Sequence, residues 1–284
     1  MTAATRTTFI GDEGVNLVAD VIGSSVNGSV IFAHGGGQTR HAWSKAGERL
    51  SALGWRAIML DLRGHGESDW PKSGDYRLQR FAADLVAVAD AIGARPHIVG
   101  ASLGGLAGMM AEAFVREGTF ASLTLVDITP QMEPAGVAKV MGFMSDKLEE
   151  GFASVEEAAD VIASYMPHRP RPADLSGLAK NLRLSQDGRY RWHWDPRFVT
   201  SVMQTRDRHS MEDMQARLSA LRLPIHLIRG RMSELVTEEN ARAFMSSTPN
   251  AVYTDIADAG HMVAGDRNDA FVDAVVAFLS EHTR

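Results

Sequence analysis

The chain of 284 residues has no cysteine. That excludes disulfides, thiolate catalysis and cysteine-ligated metal. It has no uninterrupted apolar run near the roughly 18 residues of a membrane span. The stretch from Met1 to Arg6 lacks the apolar core of a signal peptide, so a cytoplasmic protein is expected. Basic runs are missing too. With a net charge of −6, nucleic acid is not an expected partner, and the acidity speaks mainly to solubility. Neither His-Glu-x-x-His nor a Gly-Lys-Ser/Thr phosphate loop occurs, so the expectation is no metal and no cofactor.

What the chain does have is a 45% hydrophobic composition, enough for one large core or a core with an inserted cap. Apolar runs alternate with helical periodicity. Thr7–Ile10 and Val15–Ile22 flank Gly11–Gly14 as a hairpin. Ser29–Ala33, Arg56–Leu60, Pro96–Ala101, Ser122–Asp127, Pro224–Arg229 and Ala251–Ile256 then read as buried parallel strands. Leu78, Phe81, Leu85, Val88 and Ile92 repeat at spacings of three and four, predicting an amphipathic helix. Thr237 caps a helix to Ser246, and a last helix covers Asp269 to about Ser280. The expected fold is α/β: about eight strands, mostly parallel, flanked by helices.

The alternation breaks between about Thr129 and Arg222, giving a division into a core (1–128 and 222–284) and a helical lid (129–221). Helices are expected after Ser154 (to about Tyr165), over Asp174–Leu184 with Leu175, Leu178 and Leu182 on one face, and after Ser210. Seven methionines, among them Met144, Met203 and Met214, suit adaptable core filling or a pliable apolar cavity. Trp192 and Trp194, alternating with Arg191 and His193, lie on a short extended segment that either lines a substrate pocket or packs the lid.

One pentapeptide concentrates the chemistry. Gly100-Ala101-Ser102-Leu103-Gly104 joins a strand to a helix-like run from Leu106 to Arg116. A G-x-S-x-G turn in that setting lifts the serine hydroxyl above the sheet, and it requires small neighbours where backbones approach. Ser102 is the expected nucleophile. Its base should be His261, whose loop follows the last strand beside Gly260. The other histidines have plainer settings: His97 and His226 within strands, His168, His193 and His209 in the lid. The orienting acid is expected at Glu234, on the loop after the penultimate strand, with Asp127 after the sixth strand as the alternative. Leu103 and Gly36 are the expected oxyanion donors, with Gly35 beside the substrate. His34 braces that loop, and Asp61 to Ser68 form a structural turn rather than a phosphate site.

The ordered set His34-Gly35-Gly36, Asp61-x-Arg63-Gly64-x-Gly66-x-Ser68, Gly100-x-Ser102-x-Gly104, Gly230 with Glu234, and Gly260-His261 resembles the α/β-hydrolase superfamily. The likeness is to its lid-bearing serine esterase, lactonase and haloperoxidase-like members, and it covers about residues 7–128 and 222–281. It implies an eight-stranded sheet and a Ser–acid–His order. Glu234 departs from the usual aspartate and stands one position late. The implied activity is hydrolysis of small to medium apolar carboxylic esters or lactones through an acyl-enzyme, by a monomer or homodimer. Carbon–carbon bond hydrolysis and cofactor-free perhydrolysis use the same triad. A non-catalytic ligand-binding protein is the alternative from another class.

Overall fold

A computed structural model describes residues 4–166, 171–204 and 210–282, side chains at 203 and 204 excepted. His168, His209 and the side chain of Met203 therefore lie outside the described residues.

Eight strands form one sheet: β1 (Thr5–Ile10), β2 (Asn16–Ile22), β3 (Ser29–Ala33), β4 (Arg56–Leu60), β5 (His97–Ala101), β6 (Leu123–Val126), β9 (Ile225–Gly230) and β10 (Ala251–Ile256). Their spatial order is β1-β2-β4-β3-β5-β6-β9-β10. β1 and β2 pair antiparallel, as do β2 and β4; every pairing from β3 onward is parallel. The inner parallel strands are mostly apolar because helices cover both faces, and β3 is buried at all five positions, whereas the edge strand β10 is partly exposed. The eight strands expected from the apolar runs are all present, with ends shifted by a residue or two.

Helix α1 (Ser44–Ala52) and the helix over Asn268–Glu281 pack on one face of the sheet, where Trp43, Trp55 and Phe271 are buried. Helices α2 (Leu78–Ile92) and α3 (Leu103–Met110) cover the other. The apolar stripe of α2 points inward: Leu78, Phe81, Leu85 and Val88 are buried. Each such side chain contributes about 1.5–3 kcal/mol relative to exposure. α3 passes into a wider turn at Ala111–Val115, where the Arg116 N–H reaches Ala111 O, five residues back. The buried Glu112 carboxylate there accepts N–H bonds from Gly118 and Phe120.

Between β6 and β9 the chain forms helices α4 (Pro134–Ser145), α5 (Val155–Tyr165), α6 (Ser176–Ala179), α7 (Pro196–Gln204) and α8 (Met211–Ala220), and the hairpin β7 (Leu182–Leu184) with β8 (Tyr190–Trp192). Ser154 and Ser210 cap α5 and α8 through their hydroxyls. The helix expected over Asp174–Leu184 is not formed. Only one turn is helical there, and Leu182–Leu184 pairs with β8 instead. The apolar spacing fits a helix, yet the cross-strand ladder and the Asn181 O bond from the His193 N–H hold the segment extended.

Candidate active site

The strands β3, β5, β6, β9 and β10 end at one edge of the sheet, and the loops leaving them carry the site. Ser102 follows β5 directly with φ 45° and ψ −112°, a backbone strained for a residue with a side chain. The turn is held by the Ser102 N–H to Val126 O at 3.3 Å and the Leu106 N–H to Ser102 O at 2.9 Å. Its glycines are a packing necessity. A Cβ on Gly100 would stand 2.6 Å from the Gly104 backbone, and one on Gly104 would stand 2.3 Å from Ala33 O.

Asp127 follows β6, the strand beside β5; Ala101 is in register with Val126. Its side chain is fully buried and saturated. Oδ1 accepts the Gly230 N–H at 3.0 Å, and Oδ2 accepts the Ser233 hydroxyl at 2.5 Å and His261 Nδ1–H at 2.7 Å. Ser233 in turn accepts the N–H groups of Leu235 and Val236, so the loop after β9 is built around this carboxylate. His261 lies on the loop after β10, where Gly260 rests on Gly230: a Cβ on Gly230 would meet Gly260 O at 2.2 Å. The imidazole keeps 20% exposure, enough for a partner to approach its free edge.

Glu234, the acid expected first, is not at the imidazole. Its side chain is 64% exposed and pairs with Lys139 of α4. The backbone here supports α4 as well: Glu133 N–H donates to the O of the next residue, Leu235, and Gly136 sits where any Cβ would strike Glu234 O. Glu234 thus ties the insertion to the core. The alternative, Asp127, is the carboxylate that meets His261.

The loop after β3 completes the edge. Gly35 lies against the Ser102 turn; a Cβ there would be 3.4 Å from Ser102 Cβ. Gln38 accepts the Gly35 N–H and donates to Met262 Sδ at 3.3 Å, linking this loop to the residue after His261. The N–H groups of Gly36 and Leu103 donate to no acceptor among the described residues. Free backbone donors at that position are what a developing oxyanion requires. The Gly35–Gly36 peptide is turned by its carbonyl, which accepts from His34 Nδ1 at 2.8 Å and from the Gln38 N–H at 3.1 Å; its N–H then points the opposite way. His34 Nε2 accepts the Leu62 N–H, so the ring is neutral, and burial pulls its pKa down to about 4.

Asp61 to Ser68 form the structural turn expected of them. Asp61 accepts the Arg40 and Glu67 N–H groups, and the Ser68 hydroxyl donates to Asp61 O. Trp192 and Trp194 stack 4.8 Å apart and are both buried. Trp194 lies on Gly37 and Trp192 on Phe152, so both rings are packed against other parts of the chain. Trp43 belongs to the core between Phe32 and Phe271. His97 and His226 bond Ser122 and Thr254 toward the starts of their strands, away from the edge that bears Ser102. The contact unreadable from sequence is His193, whose ring joins the insertion to Gly37 and Gly66; alternation in an extended segment puts it on the face opposite Trp192 and Trp194 and says nothing of these partners.

Sheet order, strained serine and carboxylate–imidazole pair together define an α/β hydrolase. The family model of the α/β hydrolase fold matches residues 28–267, and the chain belongs to that family. It is 30% identical over 261 residues to the esterase Rv0045c of Mycobacterium tuberculosis, covering 88% of this chain and 82% of that one. A crystal structure of that esterase superposes with a TM-score of 0.75 at 26% identity, over 99% of this chain and 92% of the other. An α/β hydrolase from Novosphingobium aromaticivorans gives a TM-score of 0.82 at 21% identity, over 99% of each chain, a likeness of fold.

Proposed function

We propose that the protein is a serine hydrolase that cleaves carboxylic esters or lactones of small to medium, largely apolar compounds. The observation that carries this reading is the 2.7 Å bond from His261 Nδ1 to the buried Asp127, on the rim that also bears Ser102. Asp127 fixes the tautomer with the proton on Nδ1, leaving Nε2 as the base. Ser102 Oγ attacks the carbonyl carbon as Nε2 takes its proton, and the Asp127 carboxylate stabilises the imidazolium. Gly36 and Leu103 N–H groups receive the oxyanion of the tetrahedral intermediate. Its collapse expels the alcohol, which leaves with the proton from Nε2. Water, deprotonated by the same nitrogen, then releases the acid and restores Ser102.

The preference for apolar substrates rests on what overhangs Gly36. Met144 Sδ and the Phe198 ring both lie 3.5 Å from the position of a Cβ there. Both come from the insertion, which acts as a lid. The esterase name of the relative agrees with ester cleavage. Turnover of p-nitrophenyl butyrate tests the reading. Ser102→Ala is expected to lose at least about 10³-fold in kcat; retained turnover would exclude Ser102 as nucleophile.

A further inference from the structure

Gly37 is held at both ends of its residue by imidazoles from different parts of the chain. Its N–H donates to Nε2 of His65, from the turn after β4, at 3.2 Å. Its C=O accepts from Nε2 of His193, from the insertion, at 3.3 Å. The other nitrogen of His193 accepts the Gly66 N–H at 2.7 Å. Each partner leaves one assignment: His193 carries its proton on Nε2, and His65, which donates from Nδ1 to Arg63 O, carries it on Nδ1. The rings sit 5.9 Å apart, and His34 is 5.2 Å from His65. His193 is 2% exposed.

We propose that His193 is a positioning residue for the oxyanion loop, aligning the Gly36 N–H through the Gly37 carbonyl and so making catalytic competence depend on the seating of the insertion. The proposal rests on the reading of Gly36 as an oxyanion donor. Gly35, Gly36 and Gly37 have no side chains to restrict them, and a run of three glycines is otherwise the loosest backbone available. Its shape is set from outside, by His34 on the Gly35 carbonyl and by His65 and His193 on Gly37. Two of those imidazoles belong to the core. The third arrives only when the insertion is docked, alongside Trp194 against Gly37, Asp195 N–H to Gly64 O and Thr39 to Asn181. The hole is therefore assembled by the same contacts that seat the insertion.

Two substitutions separate positioning from simple docking. His193→Gln can keep a donor toward the Gly37 carbonyl but loses the Gly66 bond. His193→Asn can keep an acceptor for the Gly66 N–H but loses the Gly37 bond. With p-nitrophenyl butyrate, Asn is expected to lower kcat about 10- to 100-fold with KM changed less than about threefold, whereas Gln stays within about fivefold of the parent. Amide hydrogen exchange across residues 34–38 should accelerate in the Asn variant and not in the Gln variant, with Tm recorded for both. Equal losses in kcat that track equal losses in Tm, the reverse ranking, or no effect in either variant would overturn the proposal. The exchange measurement needs no turnover. If Ser102→Ala remained active while the exchange ranking held, the reading of the site would fall and the tether on the loop would stand.

Discussion

Asp127 and Glu234 carry the same functional group at the same edge of the sheet, and their surroundings separate them. Asp127 is enclosed, with three donors converging on it; Glu234 faces solvent and a lysine. A carboxylate that must steady an imidazolium is effective only where water does not screen it. Asp127→Asn is accordingly expected to reduce kcat by about 10³- to 10⁴-fold, and Glu234→Gln by no more than about twofold. Steady-state rates for the two variants check this, and the opposite ranking would return the role to Glu234. Sequence alone left the two open because both follow strands that end at the same rim. Which one faces His261 depends on Ser233, whose hydroxyl closes the loop around Asp127. Ser102 and His261, by contrast, stood out as single candidates because strand, glycine and turn surround each of them locally.

At the scale of elements, the strands were readable because a parallel strand covered on both faces must be mostly apolar: Ser29–Ala33 and Ile225–Gly230 are buried at every position, with Ser29, His226 and Arg229 the polar exceptions. The insertion was harder. Leu175, Leu178 and Leu182 repeat like a helix, but β8 offers a ladder that a three-residue apolar pattern cannot announce. The wide turn after α3 was hidden likewise, since Glu112 within it is held by Gly118 and Phe120, beyond the helical run. Glycines give the element-scale prediction. Gly104→Ala would press a Cβ to 2.3 Å from Ala33 O and should cost at least about 1–3 kcal/mol, lowering Tm by several degrees. Gly142→Ala, inside α4 with nothing within 4 Å among the described residues, should be neutral or gain up to about 1 kcal/mol. Thermal unfolding distinguishes them; equal Tm values would contradict the packing described at the elbow.

For the whole molecule, buried histidines tie stability to pH. Burial pulls His34, His97 and His226 down to about 4 and His65 to about 3, from an ordinary 6.5. The unfolded chain therefore binds more protons than the folded one between those values and 6.5. Stability is complete above pH 6.5 and is lost as pH falls toward 4, by up to about 1.4 kcal/mol per pH unit for each histidine. Asp84 and Glu112, raised by burial, oppose this, but the histidines outnumber them. Urea midpoints at pH 7.0 and 4.5 should show a clear fall at the lower pH; an unchanged or higher midpoint would contradict the buried neutral rings. The same rings that respond to acid shape the loop opposite Ser102, so the fold and the proposed chemistry rest on one set of contacts.

The most direct measurement is the intact mass of the protein after reaction with a fluorophosphonate at neutral pH, followed by mapping of the adduct. A single phosphonyl group on Ser102, absent from Ser102→Ala and formed far more slowly in Asp127→Asn, is the predicted result. No adduct, or one on another residue, would show that the hydroxyl at the elbow is not activated.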